Sequence, residues 1–397
     1  MQRRGSVPLV GLGAALIVLF LVASSAGAGI PAEARLSLAQ SGHGLAHPTA
    51  SLGGAELAAA RSSLERGAGP GLDLAPSVSL GSYQWTNLTS LVGVHPSARY
   101  LPSMTWDAAD GYVLVFGGTF LNLSTSYILG DTWTYLNGTW LNITNTVVGS
   151  PPKLAGAALA YDPGQSKVIL FGGALTEAAY SNVTYSYAHG VWTNITTTVG
   201  RAPSPRYDPS MVWDSNDSEL LLTGGLAGND APIPGTWVFK GGAWSNVTAT
   251  APIPALLYTP NLADDPPDHG VLVSSIMSYS SLGKAPFYPG TFLFTGGKWH
   301  NLTPTLSSEP PMIYVGAMAY VSPAVGVLLL TGIITNRSGN FLEGGVVWAY
   351  HGGAWSNLTS TVGALPQEDG ASGLALIPTD GSILSLGGVG LLTDSTS

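Results

Sequence analysis

Two arginines, Arg99 and Arg206, stand at matching places, each eight residues before an aspartate that follows a tryptophan (Trp106-Asp107 and Trp213-Asp214). A guanidinium is a permanent charge with a planar fork of donors that suits a carboxylate. Its recurrence points to an anionic ligand, such as a carboxylated sugar, at the entrance of two innermost strands. The competing role is structural, with each arginine bonding loop carbonyls or Asp107 and Asp214. Asp107, Asp162 and Asp214 recur with the chain's own period, so they are read as turn-holding groups rather than acids. Asp264, Asp265, Asp268 and His269 gather beside Pro266-Pro267. Such oxygens could hold a hard cation, but a solvated turn accounts for them and no metal site is expected. The seven histidines show no metal-ligand spacing within an element, apart from His43 and His47 in the leader. With no cysteine, thiolate zinc sites, thiol nucleophiles and disulfides are excluded. No nucleophilic triad, phosphate loop or paired carboxylate stands out. The expectation is therefore no catalytic residue, no cofactor and no enzymatic activity.

These side chains must be positioned by a repeat. The phrase Trp-x-Asn-[Leu/Ile/Val]-Thr begins at Trp85, Trp140, Trp192, Trp244, Trp299 and Trp355, with steps of 55, 52, 52, 55 and 56 residues. A period of this size marks an array or propeller. Each copy lays out as four strands. The first ends in an aromatic-Asp pair in the early copies. The second is continuously apolar and runs into a glycine pair, as Val113–Phe116 does before Gly117-Gly118, which suits a strand buried on both faces. The third carries aromatics at alternate positions (Trp133 and Tyr135, Trp237 and Phe239), and the fourth is the phrase itself. Asn137-Gly138 between them predicts a type I′ hairpin. Blade four is degraded, with Ser274-Ser275 for the glycine pair and no aromatic-Asp pair.

The two ends complement each other. Residues 372–388 supply a first and second strand only, while Val78 and Leu80 fall at third-strand positions before Trp85–Thr89. The fold expected is all-β: a six-bladed propeller of four-stranded antiparallel blades, its ring closed by N-terminal strands completing the C-terminal blade. Closure covers apolar faces that an open array would expose.

These motifs resemble the Kelch repeat and the central domain of galactose oxidase, over residues 77–390. The resemblance implies a propeller that binds proteins or glycans through its loops. The copper-radical oxidases of that family need a cysteine, which this chain lacks.

Composition agrees: 9% charged, 45% hydrophobic, 52 glycines and 28 prolines. The net charge of −9 argues against nucleic acid. Residues 1–28 read as a signal peptide or uncleaved membrane anchor: Arg3 and Arg4, an apolar heart at Val7–Val22, then Ala26-Gly27-Ala28. Export follows either way, and any membrane contact would be through this segment. Residues 29–76 form a spacer and 391–397 a tail. Eleven glycosylation sequons are present. The six inside the phrase are assigned a structural role; of the other five, Asn137 falls in a hairpin turn, and Asn122, Asn182, Asn216 and Asn336, in the expected loops, are the glycan candidates. The leading expectation is an extracellular or cell-surface module binding a protein or glycan through the loops Thr119–Gly130 and Gly332–Gly345. The alternatives are a glycan-active enzyme at the channel mouth near Arg99 and Arg206, and a structural component of the envelope.

Overall fold

The computed structural model describes residues 18–23, 83–89, 91–121, 126–228, 230–253, 255–278, 286–335, 338, 341–342, 345–362 and 373–387. The stretch Ser25–Ser77 lies outside them. The fold is an all-β propeller of four-stranded antiparallel blades. Five blades are continuous segments, in each of which the strands pair in chain order. Blade I comprises Ser103–Asp107, Tyr112–Phe116, Thr132–Leu136 and Thr139–Asn142. Blade II comprises Ala158–Asp162, Lys167–Phe171, Thr184–Ala188 and Val191–Asn194. Blade III comprises Tyr207–Asp214, Glu219–Leu226, Thr236–Lys240 and Ala243–Asn246. Blade IV comprises Leu256–Asp265, Gly270–Ser278, Tyr288–Thr295 and Lys298–Asn301. Blade V comprises Ile313–Ser322, Gly326–Thr335, Val346–His351 and Ala354–Asn357.

The count of continuous blades is thus five, against the six expected. A further sheet draws on both ends of the described chain. In it Gly373–Ile377 pairs Ser382–Leu386, as expected, and Tyr83–Asn87 lies at the outer edge. The third place differs from expectation. Val18–Ala23, from the apolar heart of the N-terminal segment, lies there, with Leu21 opposite Ile383 and Trp85. Val78 and Leu80 lie outside the described residues.

Six apolar layers fill the spaces between sheets. Tyr185, Tyr187 and Trp192 of blade II pack on Leu114 and Phe116 of blade I. The C-terminal hairpin is covered on both faces: Ala375 and Leu384 pack with Trp133 and Trp140 of blade I, and Ile383 with Leu328 and Ala349 of blade V. Within the phrase, Trp140 and Ile143 enter different layers, as period-two alternation requires.

The phrase also makes the polar seam. Asn142 Oδ1 accepts the Thr144 N–H at 3.0 Å, and the same bond forms at Asn87, Asn194, Asn246, Asn301 and Asn357. This local turn ends the strand. The threonine hydroxyl then accepts the backbone N–H of the third-strand threonine eight residues before the tryptophan: Thr144 from Thr132, Thr196 from Thr184, Thr248 from Thr236 and Thr303 from Thr291. Those third-strand threonines in turn accept the indole N–H of the next blade. Trp192 bonds Thr132, Trp244 bonds Thr184, Trp299 bonds Thr236 and Trp355 bonds Thr291.

The glycines behave as the sequence predicts. Asn137 and Gly138 both have positive φ (48° and 79°), the signature of a type I′ turn. Gly117 has φ 62°, and a Cβ there would stand 2.2 Å from the Leu154 carbonyl oxygen of the adjoining blade. In blade IV the turn aspartate does persist: Asp265 opposes Gly270 as Asp214 opposes Glu219, and only the aromatic before it is replaced, by Asp264. Pro266–Asp268 is a short 3-10 turn between the first two strands.

Thr236 anchors one blade to the next by accepting the Trp299 N–H at 2.8 Å and donating to the Ala251 carbonyl at 2.9 Å. Thr236→Val leaves both buried partners unsatisfied, and a loss of about 1–3 kcal/mol in unfolding free energy is expected from urea denaturation.

Candidate functional site

Each innermost strand is entered through a four-residue step: Arg99-Tyr100-Leu101-Pro102, Leu154-Ala155-Gly156-Ala157, Arg206-Tyr207-Asp208-Pro209, Leu257-Tyr258-Thr259-Pro260 and Ile313-Tyr314-Val315-Gly316. The third residue of the step has positive φ in four of them: 52° at Leu101, 58° at Gly156, 54° at Asp208 and 36° at Thr259. A left-handed conformation costs most residues about 1 kcal/mol or more and concentrates at functional positions. Here neighbouring blades impose it. Gly156 N–H donates to the Leu101 carbonyl and Asp208 N–H to the Gly156 carbonyl, linking three blades in a chain of backbone bonds.

A cavity of about 170 Å³ opens between these strands. Its polar lining is Asp208, Ser210, Thr259 and Asn261, with Met318 and Leu374 opposite. Asp208 is partly accessible within the cavity, yet burial among the strands pushes its carboxyl up to about 6. Asn261 donates to the Ser274 carbonyl. The arrangement can orient a small polar molecule and exchange a proton with it near neutral pH.

Neither sequence-nominated arginine lines this cavity. Both are fully buried inside their blades. Arg99 makes a two-pronged pair with Asp131, both contacts at 2.8 Å, and bonds the carbonyls of Ser97 and Gly117. The structural role through loop carbonyls therefore holds, but its acid partner is Asp131 rather than Asp107. Asp131, held by Arg99, also accepts the Trp133 indole N–H. Arg206 bonds the carbonyls of Ser204 and Gly224 and the Ser204 hydroxyl. No carboxylate pairs with it among the described residues, and burial pulls it down to about 10.

The repeated aspartates hold turns, as read from the sequence. Asp107 Oδ1 accepts from Ala109 and Asp110, Asp162 Oδ1 from Gly164 and Gln165, and Asp214 Oδ1 from Asn216 and Asp217. Burial raises Asp107 and Asp214 to about 6 and Asp265 to about 7. Among the described residues there is no group of three or more side chains placed to hold a metal ion, the Asp264–His269 cluster included. Of the glycan candidates, Asn182 and Asn216 are exposed, while Asn122 and Asn336 lie outside the described residues.

Sequence reasoning passed over Asp208. The available signal was a carboxylate directly before Pro209, where the other copies place leucine, glycine, threonine or valine.

The class these features define is a β-propeller with a small cavity between its innermost strands. Among solved structures the chain is similar to YjhT, with a TM-score of 0.50 and 15% identity over 70% of this chain and 88% of that one. That likeness concerns the fold. No protein family and no curated protein matches the sequence.

Asp208 binds its proton more tightly folded than unfolded, because its folded value lies above the ordinary 3.8. Its contribution to stability is therefore greatest below about pH 4 and declines as pH rises through 6. Asp208→Asn removes that decline. Urea titrations should show the variant gaining about 2 kcal/mol over the parent at pH 7 and little at pH 4.

Proposed function

We propose that this chain is an exported, Kelch-like, six-bladed propeller that binds a glycan or protein at the cell surface through the loop-bearing end of its channel. The observation that carries this is the concentration of irregular structure at one end. Past the glycine pairs, blades I and II each raise a two-stranded ribbon: Thr119–Leu121 with Ser126–Ile128, and Ala174–Thr176 with Ala179–Tyr180. Blade V adds Phe341–Leu342 beside its second strand. The same end holds the cavity and two stacked aromatic pairs, Phe120 with Tyr127 and Tyr180 with Tyr207. Tyr127 is half exposed. Flat aromatic faces beside polar groups suit a sugar ring or an aromatic anchor of a protein partner. The hairpins between third and fourth strands, by contrast, are tight and nearly uniform.

Six blades and N-terminal closure are supported by the unsatisfied indoles. Trp140 Nε1 is buried without a partner. Its acceptor should be the first third-strand residue of the preceding sheet, eight residues before that sheet's own tryptophan, as Thr132 is before Trp140. Val18, which lies at that place, has no hydroxyl. Counting eight back from Trp85 gives Ser77, which has one. In the exported chain, Ser77–Leu80 therefore takes this strand position once residues 1–28 are removed or held in the membrane. Trp85 Nε1 is unpartnered for the same reason, since Val347 stands where other blades have threonine.

A second reading, glycan turnover, is favoured by Asp208, a cavity carboxyl whose proton is available near neutral pH. A glycan array and a surface-protein capture screen with the secreted chain separate the two. Tyr127→Ala with Tyr180→Ala should weaken ligand binding at least about tenfold, the scale of a lost aromatic hot spot. Unchanged binding would place recognition elsewhere, and product formation abolished by Asp208→Asn would favour the enzyme.

A further inference from the structure

The blades carry an internal comparison. At the entrance of each innermost strand stands Arg99, Leu154, Arg206, Leu257 or Ile313. Nine residues before the phrase tryptophan of the same blade, and two before Trp133, Tyr185, Trp237, Phe292 or Trp348, stands Asp131, Val183, Gly235, Gly290 or Val346, respectively. In blade I the two positions hold an ion pair. In blades II, IV and V the charge is absent on both sides, and Leu154, Leu257 and Ile313 are buried apolar groups. Blade III alone keeps the cation without the acid. Every other bond of the pair is reproduced: Nε to the carbonyl of Ser97 or Ser204, one terminal nitrogen to the carbonyl of Gly117 or Gly224, the other to the serine hydroxyl.

The second donor that holds Asp131 is also retained. Trp133 Nε1 donates to Asp131 at 2.7 Å. In blade III, Trp237 Nε1 lies 3.4 Å from where a Cβ on Gly235 would be, and no acceptor for it is found among the described residues. Trp348, which has Val346 at the equivalent place, has its N–H sealed without partner or solvent. In blade III no side chain occupies this place, because Gly235 has none. A buried guanidinium with no counter-charge is strongly destabilising, and an anion that supplies one is bound in proportion.

We propose that Arg206 and Trp237 form a binding site for a ligand carboxylate, seated beside Gly235 where blade I places its own Asp131. Two carboxylate oxygens accept from the Arg206 terminal nitrogens, and one also accepts the Trp237 indole N–H. The place corresponds to that of one aspartate carboxylate in blade I, and a Cβ on Gly235 would already lie 3.2 Å from Thr248 Oγ1, so the group proposed is a small unbranched carboxylate. This deepens the binding reading by naming the ligand's chemical class, and it rests on that reading only for its biological use. The site itself is a property of blade III.

The test is an acetate titration followed through the indole N–H resonances of the ¹⁵N-labelled exported chain, with chloride at matched ionic strength as control. Acetate is the aspartate side chain cut free at Cβ. Trp237, identified by the resonance missing in Trp237→Phe, should shift saturably with acetate and not with chloride, while Trp133 stays fixed. Arg206→Gln should abolish the shift. Asp131→Ala should make the Trp133 resonance acetate-responsive, opening the same site in blade I. An unresponsive Trp237, or a shift matched by chloride or kept in Arg206→Gln, overturns the proposal. If either variant fails to fold, the contrast between Trp237 and Trp133 in the parent chain still decides. Loss of this site with retained glycan or protein binding would leave the broader function standing.

Discussion

The structure depends on one polar contact repeated between blades: an indole N–H donated to a threonine hydroxyl of the preceding blade. Trp192, Trp244 and Trp355 are nearly buried in apolar layers, and Trp299 is partly so; a buried unmatched N–H costs about 1–3 kcal/mol. The hydroxyl that meets it is itself fixed by the fourth strand of its own blade, through the Asn-Thr turn. Apolar packing between sheets is tolerant of sliding, whereas this seam is not. It sets the registration of one blade on the next, and so where the strand entrances, the cavity and the loops fall.

Much of this was legible because a repeat multiplies weak signals. The Trp-x-Asn-x-Thr phrase, the glycine pairs and the alternating aromatics each recurred at fixed offsets, so four strands per blade could be placed without tertiary information. The structural assignment of the repeated asparagines and aspartates followed from the same periodicity. What escaped was set by non-local geometry. Arg99 was read towards an open channel, but its partner Asp131 lies 32 residues on, after a loop of irregular length. Asp208 carries no motif, and its character comes from the left-handed backbone forced by neighbouring blades. The aspartate of blade IV was missed because the aromatic used to find it had been replaced.

Regular and irregular structure occupy opposite ends of the blades. At one end, turn aspartates and short hairpins repeat with little variation, and the raised proton affinities of Asp107, Asp214 and Asp265 reflect burial within the scaffold. At the other, ribbons, stacked tyrosines, the cavity and the unmatched Arg206 depart from the repeat. Departures from an otherwise consistent pattern are where function is expected. The third blade gathers several of them in one short run, Arg206-Tyr207-Asp208.

Closure of the ring is the central proposal, because it would set the number of blades and tie the first strands to the last. The most direct measurement is hydrogen exchange at the Trp140 indole N–H in a chain beginning at Gly29. If Ser77–Leu80 completes the final sheet, that proton finds a hydroxyl and exchanges as slowly as those of Trp192 and Trp244. Rapid exchange at Trp140, with Trp192 and Trp244 still protected, would contradict the account.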